Sequence, residues 1–173
     1  MAALPEFLDV QRHRDVSPRG ELGARWIVLG LLALVAVAAL LGVFGQEART
    51  SVASAAAAEL EVSAPTRLRG GLFFQGRFTV EAREPIENAV LVFGPGWLEN
   101  MHINTIEPAP REEASRDDDL ELSFGPVAAG EKLVVHMQFQ VNPTNVGRRS
   151  ADVSLFDGET RIASVDRTLT VFP

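Results

Sequence analysis

One membrane-spanning α-helix followed by an all-β antiparallel sandwich is expected from three features of this sequence. Trp26 to Gly45 is a run of 20 residues without a charge. From Glu59 onward, apolar and polar residues alternate in short stretches, the period of strands with one face in a core. Gly, Pro, Asn and Asp punctuate those stretches, and no helical period runs through them.

Composition narrows the chemistry. The chain has 173 residues, 16 basic against 23 acidic, and a net charge of −7. All the basic residues are Arg except Lys132, a bias typical of GC-rich genomes. The absence of Cys excludes disulfides, thiolate metal sites, a cysteine nucleophile and a lipid-modified cysteine anchor.

Residues 1–25 read as a polar cytoplasmic tail, in which Pro5, Pro18 and Gly20 argue against one continuous helix. Residues 26–45 read as the transmembrane helix. At about 1.5 Å per residue they cover about 30 Å, the thickness of a bilayer's hydrocarbon core. Arg25 and Trp26 at its start suit the membrane interface, where a guanidinium can snorkel and an indole can lie among headgroups. Arg12, Arg14, Arg19 and Arg25 precede the run, whereas only Arg49 follows it closely. The N-terminus is therefore expected inside and the C-terminal part outside. Ala53-Ser54-Ala55 offers a cleavage site for a signal peptide, but the apolar run is longer than such peptides use and ends well before that site. A retained signal anchor is the expectation. Within the run, Ala38 and Gly42 form a small-xxx-small pair that allows close helix approach, or arises by chance in an Ala-rich segment.

Residues 46–58 read as a stalk or linker of small residues, helical or flexible. Residues 59–173 read as the sandwich. Its clearest strands are Phe74–Ala82, with Phe74, Phe78, Val80 and Ala82 on one face, and Lys132–Val141, with Leu133, Val135, Met137, Phe139 and Val141 on one face. Weaker strands are expected at 60–64, 88–93, 102–106, 120–124, 151–156 and 161–172, the last broken by a bulge or bend between Ile162 and Val165. Asp157-Gly158 predicts a two-residue type I′ hairpin turn.

From Pro85 the order PIENAVLVFGPGW, then LELSFGPVAAGEKLVVHMQFQV, then GRRSADVSLFDGE resembles bacterial surface domains of the CARDB and conserved-repeat type. The turn Gly125-Pro126-Val127-Ala128-Ala129-Gly130-Glu131 carries much of the likeness. The resemblance implies an immunoglobulin-like sandwich with an extracytoplasmic adhesion, spacer or accessory role, and it brings no catalytic residues with it.

Motifs for chemistry are sparse. His13 falls in the cytoplasmic tail, so only His102 and His136 can share the outer domain, and a zinc site there would need carboxylates to supplement them; histidines exposed on a sheet are the alternative. No GxSxG turn is present. Asp117-Asp118-Asp119, with Glu112, Glu113 and Glu121, is acidic enough to attract Ca²⁺ but lacks the glycine and ligand spacing of a Ca²⁺ loop, so a solvated turn is the alternative. Neither catalytic residues nor a cofactor is expected. Residues 59–173 carry 11 basic and 18 acidic residues, which argues against nucleic-acid binding.

Two loops are candidates for partner contact. Gly94-Pro95-Gly96-Trp97-Leu98 puts an indole and a leucine after a sharp turn, where Trp97 is either an interface anchor or a core plug. The turn from Asn142 ends in Arg148 and Arg149, which suit anionic lipid, cell-wall polymer or an acidic partner. The expected function is a non-enzymatic, single-pass protein displaying its sandwich outside the cytoplasmic membrane as an interaction module or accessory subunit of an envelope complex. The alternative is a carboxylate-based envelope hydrolase or carbohydrate-active protein, using Glu107 with one of the acidic-run residues in a cleft.

Overall fold

A computed structural model describes residues 18–43 and 46–173, and the chain divides after Val43 into two compact units. In the first, helix α1 runs Pro18–Leu40. It therefore begins eight residues before the uncharged run. Pro18 starts the helix instead of preventing it, because proline lacks only an N–H that the first turn leaves unbonded anyway. The earlier part of the expected tail, and Phe44 and Gly45 at the end of the expected span, lie outside the described residues.

The helix ends through its own cap. Gly42 has φ of 71°, its N–H bonds the Ala39 carbonyl at 3.0 Å, and the Val43 N–H bonds the Ala38 carbonyl at 3.1 Å. This is a Schellman motif, which needs a left-handed residue at that position. A Cβ on Gly42 would meet nothing within 4 Å. Its backbone conformation therefore accounts for Gly42, and the small-xxx-small pair needs no helix partner.

The second unit is the all-β sandwich. Its strands are β1 Ala48–Ser54, β2 Ala58–Pro65, β3 Arg67–Arg69, β4 Phe73–Ala82, β5 Ile86–Phe93, β6 Met101–Glu107, β7 Glu112–Arg116, β8 Asp119–Val127, β9 Lys132–Val141, β10 Gly147–Ser150, β11 Val153–Asp157, β12 Thr160–Val165 and β13 Thr168–Phe172. One five-stranded antiparallel sheet has the order β1-β2-β4-β9-β6, and the other β12-β11-β5-β8-β7. A three-stranded sheet, β10-β13-β3, closes one side, and its β13–β3 pair is the one parallel pairing described. The layering is immunoglobulin-like, with more strands per sheet than the four and three of a constant-type domain.

Residues 48–54, expected as part of a stalk, are instead strand β1, paired along its whole length with β2. This correction has a simple cause. β1 is an edge strand of mostly exposed residues, so the segment ARTSVAS carries no apolar alternation to announce it. The expected strand 161–172 splits at Asp166-Arg167 into β12 and β13, which join different sheets. The expected bulge is also present: Leu155 pairs with Ala163 and Phe156 with Arg161, leaving Ile162 as the extra residue.

The type I′ turn expected at Asp157-Gly158 is not found there. Asp157 pairs with Thr160, so the loop is Gly158-Glu159, with positive φ only at Gly158, the pattern of type II′. Asp157 is held by β5, its Oδ1 accepting the Asn88 N–H at 2.9 Å. The type I′ signature sits at Asp117 (φ 51°) and Asp118 (φ 71°), between paired Arg116 and Asp119.

Candidate functional site

The Trp97 loop faces inward. A short 3₁₀ turn, Pro95–Trp97, carries the indole into the core, where Trp97 is 2% exposed. Its ring lies 5.3 Å from Phe78 and 6.2 Å from Phe93, both edge-on, and 5.2 Å from Phe139. Phe78 and Phe93 themselves meet at 4.9 Å and 90°, joining β4 of one sheet to β5 of the other. Two glycines make room for this cluster. A Cβ on Gly96 would collide with the Ser150 carbonyl, and one on Gly76 would come within 2.9 Å of the Phe78 ring. Trp97 is therefore a core plug, and the interface reading of it is corrected: no indole surface is left to offer a partner. Nε1 of Trp97 is buried without a hydrogen-bond partner, so packing holds the ring.

Leu98 turns the other way and lines two surface clefts. One is bounded by Leu98, Ile103, Ile106, Ala109, Pro110 and Leu120, with Glu113 at its side. It lies where β6, the edge of one large sheet, approaches β7, the edge of the other. On β6 the pairing slips between Ile103 and Thr105, so Asn104 is an extra residue on this edge. The second cleft is bounded by Pro95, Leu98, Glu99 and Asp117 to Asp119.

The polar loop before β10 is pinned to the protein. Asn145 is buried, and its Nδ2 donates to the carbonyls of Glu99 (3.3 Å) and Asn100 (3.2 Å). Arg149 Nη1 donates to the Glu99 carbonyl at 2.9 Å and to its carboxylate at 2.8 Å. Arg149 is thus a staple between two loops. Arg148, one residue earlier, points outward and is exposed.

A third arginine, with no signal in the sequence, is the most buried charge described. Arg167 is 6% exposed at the corner between β12 and β13. Its guanidinium donates to the carbonyls of Arg49 (2.9 Å), Val62 (2.6 Å) and Ala64 (2.5 Å), and its backbone N–H donates to Asp152 Oδ1 at 2.8 Å. Burial pulls its pKa below the ordinary guanidinium value. The carbonyl cage stands in for water and fastens β1 and β2 to the corner.

The acidic residues do not converge. Glu107 is exposed at the end of β6, opposite His136, and lines neither cleft that Glu113 or Asp117–Asp119 line. His102 lies opposite Gln140 on the same outer face, apart from His136. Among the described residues, no group of three or more His, Asp or Glu is arranged to hold a metal ion. The acidic run is a tight turn. Loss of hydration, then the charges of Asp117, Asp118 and Asp152, push the Asp119 carboxyl above its ordinary pKa.

The helix differs in kind from all of these. Leu22–Leu40 is long and apolar enough to cross a membrane, with mean hydropathy of 2.2 and none of its residues buried in the protein. Trp26, near its start, is 70% exposed, and Arg25 beside it is exposed too.

Neither a family model nor a curated protein sequence matches this chain. Among solved structures, it is similar to a non-cellulosomal cohesin from the hyperthermophilic archaeon Archaeoglobus fulgidus, with 10% identity and a TM-score of 0.42. That likeness covers 72% of this chain and 92% of the cohesin. It assigns no residue to a site.

Proposed function

We propose that this chain is a non-enzymatic, single-pass membrane protein whose sandwich is displayed outside the cytoplasmic membrane as an interaction module for another membrane or envelope protein. The anchor is α1, with Arg25 and Trp26 at the interface and the N-terminus inside. The observation that carries the interaction reading is the largely apolar cleft between the β6 and β7 edges, which Leu98 lines. Open edges offer backbone hydrogen bonds, and an apolar floor beside them favours a partner segment laid along the edge. The turn placement that resembles CARDB-type surface domains is in keeping with such a role.

Two measurements test this. Protease treatment of intact spheroplasts should remove everything beyond the helix, and survival of the sandwich there would reverse the orientation. Gentle solubilisation should recover the protein with a stoichiometric partner, and Leu98→Lys should release that partner while the sandwich still melts cooperatively. Recovery of the unaltered protein alone and monodisperse would sink the interaction reading.

A further inference from the structure

One end of the sandwich combines exposed apolar side chains with arginine. Gly70 N–H bonds the Phe172 carbonyl, Gly71 N–H bonds the Val141 carbonyl, and Val141 N–H bonds the Leu72 carbonyl. These bonds gather the β3–β4 loop, the loop before β10 and the end of β13 into a single rim. Among the described residues, six large apolar ones of the sandwich are strongly exposed, and four lie here: Leu72 (44%), Phe73 (55%), Val146 (49%) and Phe172 (39%).

Arginine is concentrated on three segments of this rim. The segments 66–73, 142–149 and 168–173 contain Arg67, Arg69, Arg148 and Arg149 and no acidic residue, inside a unit that is acidic overall. Arg148, Thr170 and Arg67 form one cross-strand row of the small sheet, and Arg69 lies beside Phe172 two residues along. Arg149 is taken up by Glu99, and the other acids at this end, Asp117 to Asp119 and Asp152, belong to turns of the opposite large sheet.

The rim also lies at the end where the chain enters the sandwich. Ala48 opens β1 opposite Pro65, just before β3. Residues 44–47 between the helix and β1 span at most about 14 Å. The far end, marked by the Ala82 carbonyl and its bond from Gly130, is a ten-residue strand away, about 33 Å.

We propose that this rim is a second membrane contact, seating Leu72, Phe73, Val146 and Phe172 in the headgroup layer of the bilayer that holds α1, with Arg69 and Arg148 on anionic lipid phosphates. The inference rests on the membrane reading of α1. Apolar side chains flanked by arginine are the usual chemistry of an interfacial anchor, and a short tether raises the effective concentration of the surface.

Because the chain has no cysteine, single cysteines can be placed cleanly in the full-length protein. Val146→Cys at the rim and Ala129→Cys at the far end would carry a fluorophore in vesicles containing headgroup-level quencher lipid. With phosphatidylglycerol present, quenching at 146 should exceed that at 129 by roughly threefold or more, and should fall in about 1 M salt. It should also fall in the Arg69→Gln/Arg148→Gln variant, whose thermal transition should be unchanged. Equal quenching at both sites in protein that floats with the vesicles overturns this inference alone. Indifference to lipid charge and to the arginine substitutions overturns it too. A Val146→Cys disulfide between two copies without quenching assigns the rim to a second copy and overturns it. Failure to float overturns both this inference and the membrane reading.

Discussion

Helix α1 and the core of the sandwich are both rich in large apolar side chains, yet they dispose of them in opposite ways. Along α1 no residue from Leu22 to Leu40 is buried by the protein, whereas Leu60, Phe78, Phe93 and Trp97 are all but sealed. A continuous apolar surface has no second face to leave in water, and Leu22–Leu40 is long enough for such a surface to cross a membrane. Alternation leaves a polar face, so the strands can supply one another's counter-surface. The position of an apolar residue in a pattern, more than its hydrophobicity, decides what it is dissolved in.

Four substitutions test that contrast, in decreasing order of consequence. Trp97→Ala should cost the sandwich about 4 kcal/mol, since a large ring leaves a cavity among Phe74, Phe78, Phe93 and Phe139. The check is thermal unfolding of the sandwich by near-ultraviolet circular dichroism, with retention in the membrane fraction unchanged. Leu31→Arg should do the reverse. A charge at the middle of the apolar helix should cost about 3 kcal/mol of insertion, read as loss from carbonate-washed membranes, while the sandwich melts as before.

Arg167→Met asks whether a core charge is there for its hydrogen bonds. Removing the guanidinium leaves the Arg49, Val62 and Ala64 carbonyls short of a donor and should cost about 2 kcal/mol, with hydrogen exchange rising first in β1. A stability equal to that of the unaltered protein would mean that the cage is dispensable.

Asp119→Asn is the smallest. Asp119 is pushed above its ordinary value of 3.8, so the folded state takes up its proton more readily than the unfolded state. Stability should therefore rise as pH falls through the interval above 3.8 and decline as pH rises again. Asparagine should remove that contribution and raise the neutral-pH melting temperature by about 1 °C.

Long, regular patterns were legible and short or irregular ones were not. The strand 132–141 has the bounds its alternation predicts, because five alternate residues face the core and turns stop it at both ends. By contrast, β1, β3, β7 and β10 are short or peripheral, and few of their residues are buried. The clefts around Leu98 were legible only as a sharp turn beside an apolar pair. Which of Trp97 and Leu98 would face the core depends on Gly96 lying against the Ser150 carbonyl, a contact between residues far apart in the chain.

What the sequence determined by itself was local: an uncharged helical run, the period of the strands and the turns that end them. Each of these is set by the backbone conformation of neighbouring residues. Tertiary structure alone decided that Trp97 is core, that Arg149 is a staple, that Arg167 is caged by carbonyls and that four exposed apolar residues share one rim. Those outcomes depend on which distant segments come together, and a chain's periodicity carries no record of that.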